Sequence, residues 1–514
     1  MNLADRLRAS AARLPDKTAL VVRPTSGTAG QVTYGQLDEA VDRAAAAFQA
    51  AGLSKGDRVA LMVGNSEHFV EAFYGALRAG LVVVPLNITY TANEVAQILA
   101  DSDAAAVVVG EAYHDRLAGI SEALPALNTV IVAGASAPPM GASTWRQFLG
   151  TGGELQPVEV GADDLALLPY TSGTTGLPKG AMLSHGNLVA NHDQMAQTRL
   201  SVHEGDVVLC VLPLFHIYAL NVAMAFTLSR GATILLIERF DPLQTLEAIS
   251  TQRASVIIGA PPIYIAWLNT PGVEDYDLAS VRYAVSGAAP LPKRVLTRFA
   301  EELGVSIWEG YGLTETSPLL TTVAMGEALI PGSVGRPVPG VELRLVDDRG
   351  NDVRDGDPGE VVVRGPNVFS GYWREPEATA LVLDDDGWFS TGDVGILDAG
   401  NLFLVDRKKD LVLVSGFNVY PREVEEVLFR HPKVAEAAVV GTPHPYTGEA
   451  VKAVIVLRVG EEATAEDITD FCRRYLARFK CPEVIEFVDA LPVNPSGKVL
   501  RRELRGDPEP GAAR

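Results

Sequence analysis

Residues 58–85, "RVALMVGNSEHFVEAFYGALRAGLVVVP", constrain the fold more than any other stretch. "RVALMV" is a short apolar, partly β-branched run that predicts a strand. Ser66 predicts a helix N-cap, and Phe69, Val70, Phe73, Tyr74 and Leu77 then share one helical face. Gly80 ends that helix, and "LVVVPL" predicts a second buried strand. Strand, helix and strand of these lengths make a βαβ unit, which requires a parallel sheet covered on both faces. A further helix opens on the capping box Thr91-x-x-Glu94 and leads to the strand "AAAVVV".

The same period returns downstream. "DVVLCVLP", "ATILLI", "SVIIG", "VRYAVSG" and "VSIWEG" predict strands separated by helical segments, so residues 1 to about 325 are expected to be α/β with mostly parallel sheets. From about 330 to 405 the period changes. "VELRLVD", "GEVVVRG", "GWFSTGD" and "GNLFLVDR" are short runs divided by Gly and Asp turns, which predicts an antiparallel, barrel-like piece. Beyond it, residues 411–514 predict a compact unit. It has a helix from Pro421, strands near 434–441 and 450–457, a helix near 465–478 and a last strand near 483–488. The charged stretch "DRKKD" at 406–410 is expected to be a hinge.

A chain of 514 residues exceeds one ordinary core. Its formal net charge of −21 argues against nucleic acid or an anionic membrane as the main partner, while leaving room for a nucleotide held by a local cluster of donors. The three cysteines, Cys210, Cys472 and Cys481, form no C-x-x-C and cannot all pair, which suits a reduced, cytoplasmic protein. The opening "MNLADRLRAS" has no apolar h-region, so no signal peptide is expected. No apolar run approaches the roughly 20 residues of a membrane span. The tail "GDPEPGAAR" reads as disordered.

Four stretches are unusual. "YTSGTTGLPKG" (170–180) follows the strand "LALLPY". It has the composition of a phosphate cradle and fails the G-x-x-x-x-G-K-[ST] spacing, because Lys179 follows Pro178 and precedes Gly180. "SGAAPL" (286–291), "GYGLTE" (310–315) and "STGD" (390–393) each follow a predicted strand. In doubly wound sheets, ligands bind beyond the carboxyl ends of the strands. One Gly-rich turn is ordinary βα punctuation; four, two of them ending in a carboxylate, point to a ligand site.

With "VDRKKDLVLVSGFNVYPREVE" and "NPSGKVLRREL", these four form an ordered set that resembles the adenylate-forming superfamily: acyl-CoA synthetases, adenylation domains and firefly-type luciferases. The resemblance runs over nearly the whole chain. "LPLFHIYALN" (212–221) is most similar to the fatty acyl-CoA synthetase and coumarate–CoA ligase branch. The resemblance implies an N-terminal domain, residues 1–405, of two α/β subdomains plus a small antiparallel barrel. It also implies a hinge at 406–410 pivoting on Lys409, and a small mobile α+β C-terminal domain over 411–514.

It implies chemistry as well. A carboxylic acid attacks the α-phosphorus of ATP, giving acyl-AMP and pyrophosphate with Mg²⁺, and the acyl group then passes to coenzyme A. An acyl carrier protein as acceptor, or a cinnamate-type aryl acid as substrate, are the alternatives. By resemblance, Thr171, Ser172, Gly173, Thr174, Thr175, Gly176 and Lys179 hold the polyphosphate. Gly287, Ala288, Glu309, Gly310 and Tyr311 meet the adenylate, Thr314 the α-phosphate, and Glu315 with Thr174 the Mg²⁺. Asp393 takes the ribose hydroxyls, Arg407 reaches the ribose and phosphates, and Lys498 bridges carboxylate and α-phosphate. His216, Tyr218, Val222, Gly287, Ala288 and Gly312 line the acid pocket, with His216 also counted as catalytic. Arg239, Ser415 and Gly416 serve CoA.

Four positions depart from the aryl branch. Glu309 stands where plant coumarate ligases carry glutamine, Val222 replaces a serine, and Leu413 and Ser415 replace lysines. These changes weigh against a hydroxycinnamate. A P-loop ATPase is the competing reading from another class, and it requires a G-K-[ST] that is absent. A luciferase-like oxygenase on the same fold is a further, weaker reading.

Overall fold

A computed structural model describes residues 2–505 apart from 26–28, 121–123, 138–140, 173–177, 327–328, 408–409, 416 and 495–497. The βαβ unit forms as expected. Strands Arg58–Met62 and Val82–Pro85 pair in parallel, joined by the helix Glu67–Arg78. Gly80 takes φ +77, the left-handed conformation that closes the helix. Ser66 occupies the N-cap position, but its hydroxyl donates to the Gly64 carbonyl and makes no capping bond. At Thr91 the capping box is complete. Thr91 N–H donates to Glu94 Oε2 at 2.7 Å, and Glu94 N–H donates back to Thr91 Oγ1 at 3.4 Å.

Two large sheets dominate the N-terminal part. A seven-stranded sheet runs, in spatial order, Leu183–Ser184, Leu165–Leu167, Val82–Pro85, Arg58–Met62, Ala104–Gly110, Thr129–Ala133 and Ser143–Thr144. Only its first pair is antiparallel. A nine-stranded sheet has the parallel centre Ile307–Gly312, Tyr283–Ser286, Val256–Gly259, Val207–Cys210, Thr233–Ile237 and Thr18–Arg23, flanked by antiparallel strands. Alternation along one strand divides its side chains between two cores. Val59 and Leu61 join the large core shared by both sheets, while Ala60 and Met62 join the outer one. Helices Leu3–Arg13, Tyr34–Ala50 and Glu67–Arg78 fill the space within the large core. Gly75 permits their close approach, because a Cβ there would stand 2.5 Å from the Ala44 Cβ.

The stretch from 342 to 407 is a four-stranded antiparallel meander of Glu342–Val346, Gly359–Arg364, Phe389–Asp398 and Asn401–Arg407. "STGD" lies inside its third strand, at a bulge where Gly392 has φ +72, rather than at a strand end. Residues 412–485 form a separate core around a five-stranded sheet and the helix Pro421–Leu428. The helix expected over 465–478 stops at Arg473, where the N–H groups of Tyr475 and Leu476 both turn back to the Cys472 carbonyl. The molecule is thus mixed α/β with a large N-terminal and a smaller C-terminal domain. Among the described residues, no helix is long and apolar enough to cross a membrane. All three cysteines are free and buried, and burial pushes the Cys210 thiol up to about 12.

Candidate active site

A cavity of about 740 Å³ opens at the carboxyl ends of strands Val256–Gly259, Tyr283–Ser286 and Ile307–Gly312. One region of it is polar. Thr171, Lys179, Gly287, Ala288, Gly310, Tyr311, Gly312, Thr314, Glu315, Gly392, Arg407 and Lys498 all line it. The other region is apolar, with Met195, Leu200, Val202, Val222, Phe226, Ile258, Tyr283 and Val285. His216 and Tyr218 line the same cavity.

Local structure explains how the polar groups are presented. After Tyr311 the chain makes one 3₁₀ turn, Thr314–Thr316, closed by Leu313 N–H donating to Thr316 Oγ1 at 3.0 Å. Gly312 is required here, because a Cβ would fall 1.8 Å from the Pro318 carbonyl oxygen. Glu315 is buried, and the Tyr372 hydroxyl donates to its Oε1 at 2.9 Å. Burial pushes its carboxyl up, against the pull of the Tyr372 bond and the Arg407 guanidinium. The Lys179 ammonium stands 5.5 Å from the centre of the Tyr372 ring, a cation–π contact. Asp393 accepts the Tyr311 hydroxyl at 2.6 Å and pairs with Arg407 Nε at 3.0 Å. It sits one residue behind Gly392, which faces the cavity while Asp393 does not. On the C-terminal domain, the backbone of Lys498 is tied to Asn494. Its N–H donates to Asn494 Oδ1 at 2.8 Å, and Asn494 N–H donates to the Lys498 carbonyl at 2.9 Å. Burial, with the Lys498 ammonium nearby, pushes the His216 imidazole down to about 4, so it is neutral at pH 7.

Other expected residues fall elsewhere. Glu309 does not reach the cavity; it is buried behind Tyr311, toward Arg422, Glu426 and Lys293, and burial pushes its carboxyl up to about 7. Arg239 and Ser415 are exposed and do not line the cavity. Gly173, Thr174, Thr175 and Gly176 of the phosphate loop, the hinge residue Lys409, Gly416 and the terminal tail lie outside the described residues. The described residues on either side of that loop, Tyr170–Ser172 and Pro178–Gly180, pair as antiparallel strands.

Sequence reasoning missed Tyr372, which joins Lys179 and Glu315. Its place depends on pairing distant in the chain, Met182 N–H to the Gly371 carbonyl and Trp373 N–H to the Gly180 carbonyl, both at 2.9 Å or less. No local pattern around "SGYWRE" marks it.

Glu315 and Glu360 are the carboxylates among the described residues lining this cavity, and Glu315, beside Thr314, is the one the resemblance assigns to a hard cation. Among the described residues, no group of three or more His, Cys, Asp or Glu could hold a metal alone. One carboxylate plus phosphate oxygens and water is the usual environment of Mg²⁺ beside a nucleotide, so the residues present fit that ion. A divalent charge would also hold the buried Glu315 ionised.

The comparisons agree with this geometry. The family model described as "AMP-binding enzyme" matches residues 7–373, and that described as "AMP-binding enzyme C-terminal domain" matches residues 423–498. A long-chain-fatty-acid–CoA ligase of Bacillus subtilis is 36% identical over 527 residues, covering 96% of this chain and 92% of that protein. A Mycobacterium tuberculosis ligase, named for a methyl-dioxo-octahydro-indenyl propanoyl group, is 39% identical and covers 96% of each. Among solved structures, an anthranilate CoA ligase in complex with anthranoyl-AMP superposes with a TM-score of 0.92 at 29% identity, over 98% of this chain and 97% of that one. The chain belongs to the AMP-binding enzyme family, the adenylate-forming superfamily. Within it, the chain is an ATP-dependent, AMP-forming acyl-CoA ligase, working with ATP, Mg²⁺ and CoA on a carboxylic acid.

Proposed function

We propose that the acid is a fatty or other apolar carboxylic acid. The observation that carries this reading is one cavity lined both by charged groups and by many apolar side chains. In this reading ATP lies with its phosphates toward Lys179, Thr314 and Arg407, and Mg²⁺, held by Glu315, neutralises phosphate charge when bound. Lys498 stands between the acid's carboxylate and the α-phosphate. It offsets the repulsion of two anions in a site where charge interactions are stronger than in bulk water. The oxygen of the carboxylate bonds to phosphorus, the bond to pyrophosphate breaks, and acyl-AMP remains. The CoA thiolate then adds to the acyl carbonyl and AMP leaves. His216 stays neutral throughout, and its ring borders the acid rather than carrying a charge against it. The Tyr311 hydroxyl and the Arg407 guanidinium hold the Asp393 carboxylate just behind the cavity wall.

Val222 cannot accept or donate a hydrogen bond, so a distal hydroxyl on the acid would be buried unpaired, at about 1–3 kcal/mol. The name of the Bacillus relative, a long-chain fatty acid, supports a large apolar tail, while the Mycobacterium name, a dioxo-octahydro-indenyl propanoate, supports a bulky tail that carries two ketones. The test is acid-dependent ATP–pyrophosphate exchange over a panel of C2–C18 and aryl acids. Alkyl or unsubstituted aryl acids are expected to lead, and a kcat/KM for coumarate above that of every fatty acid would overturn the reading. Replacing CoA by an acyl carrier protein in the thioester assay decides the acceptor, with CoA expected to be faster. The three free, buried cysteines support a reducing, cytoplasmic setting.

A further inference from the structure

The apolar region of the cavity is bounded on one side by the segment between helix His185–Ala196 and strand Val207–Cys210. Thr198, Leu200 and Val202 of this segment line the cavity, while Arg199 and His203 between and beyond them are exposed. Leu200 is only half-buried. The wall there is therefore a single stretch of chain with solvent on its other face.

The polar groups of the residues lining the cavity are engaged along the wall. The Thr198 hydroxyl donates to the Met195 carbonyl at 2.9 Å and accepts the Leu200 N–H at 3.3 Å. Arg230 Nε donates to the Val202 carbonyl at 3.2 Å. Tyr283 reaches across from the central strand Tyr283–Ser286, and its hydroxyl donates to the Leu200 carbonyl at 2.7 Å. Its own position is fixed by its neighbour: Arg282 pairs with Asp206, the last residue of the segment, at 2.6 Å. What the wall presents to the cavity is thus aliphatic and aromatic carbon. A tail arriving there is limited by volume and not by hydrogen bonding.

We infer that Leu200 and Tyr283 set the length limit of the acid, Leu200 as the floor of the pocket and Tyr283 as the strap that holds the floor closed. This rests on the apolar-acid reading above. A methylene gained or lost at a hydrophobic pocket changes kcat/KM by about 10-fold or more. The floor is the place in this cavity where that discrimination follows from one side chain.

The test is a length profile, kcat/KM for saturated acids from C4 to C18, read by acid-dependent pyrophosphate release. Leu200→Trp is expected to lower the ratio of the longest accepted acid to one four carbons shorter by about 10-fold or more. Leu200→Ala is expected to raise kcat/KM about 10-fold for the first length that the wild type rejects, because the tail can pass the floor. Tyr283→Phe keeps the ring and removes the strap, and is expected to shift the profile in the same direction as Leu200→Ala. Profiles that keep the wild-type shape in all three variants, or fall by one common factor at every length, overturn the assignment. A wild type that turns over neither saturated nor unsubstituted aryl acids overturns the apolar-acid reading as well. A wild type that turns them over, with unmoved variants, overturns the floor alone.

Discussion

Glu309→Gln is expected to stabilise the protein, and to do so only toward neutral pH. Glu309 is 5% exposed, lies behind Tyr311 and accepts the Leu291 N–H. Burial raises its carboxyl from an ordinary 4.5 to about 7, against the pull of Arg422 and Lys293 and with a push from Glu426. Below pH 4.5 both folded and unfolded chains hold the proton, and the site costs nothing. Between 4.5 and about 7 the unfolded chain releases it while the folded chain keeps it, so stability falls as pH rises. Above that window the folded chain carries a buried anion, and the penalty levels off at about 3 kcal/mol, the free-energy equivalent of the gap between the two values. Glutamine keeps an acceptor for Leu291 N–H and never ionises. Urea unfolding of both proteins, followed by tryptophan fluorescence at pH 4.5, 6 and 8, measures the difference. The gain of the variant over wild type should grow by about 3 kcal/mol from pH 4.5 to pH 8. A difference that stays constant across that range, or grows toward acid, refutes the argument.

Two other substitutions follow from single contacts, and a third from the hinge expected at 406–410. Tyr372→Phe removes the donor to a buried carboxylate, a bond worth about 1.5–3 kcal/mol, and should raise the Mg²⁺ concentration for half-maximal pyrophosphate exchange by about 10-fold or more while leaving the ring for Lys179. Because the lost bond favours the ionised form of Glu315, the acid limb of the pH–rate profile should also move to higher pH; a limb that stays or moves to lower pH contradicts this. Gly75→Ala forces a methyl to 2.5 Å from Ala44, and should cost about 1–3 kcal/mol of stability, read as a lower thermal midpoint with the site residues untouched. Lys409→Pro should spare adenylation and slow thioester formation, since proline fixes φ and restricts Lys408; equal loss in both half-reactions contradicts a hinge there.

What the sequence made legible was local. The βαβ unit at 58–85 follows from a period of 3.6 between two apolar runs, and the Thr91 capping box from a three-residue spacing. The polar region of the cavity was legible because its residues sit in short motifs at strand ends, where backbone geometry alone brings Gly287, Gly310 and Thr314 together. What was missed depends on contacts distant in the chain. Tyr372 is placed by pairing with residues 180 and 182, and Leu200 by a tyrosine on another strand. "STGD" was read as a strand end because glycine and aspartate are turn residues, yet the bulge keeps it within the ladder. Ser415 lies away from the cavity because the C-terminal domain turns the edge with Asn494, Lys498 and Leu500 toward it.

The central claim is that Lys498 serves the first half-reaction and not the second. Lys498→Ala, carried on an otherwise intact chain, should cut acid-dependent ATP–pyrophosphate exchange by about 10²–10³, the usual loss for one preorganised donor at developing charge. Given synthetic acyl-AMP and CoA, the same variant should still form thioester at a rate near that of wild type. Exchange that persists in the variant, or equal collapse of both half-reactions with the circular dichroism spectrum unchanged, contradicts the account.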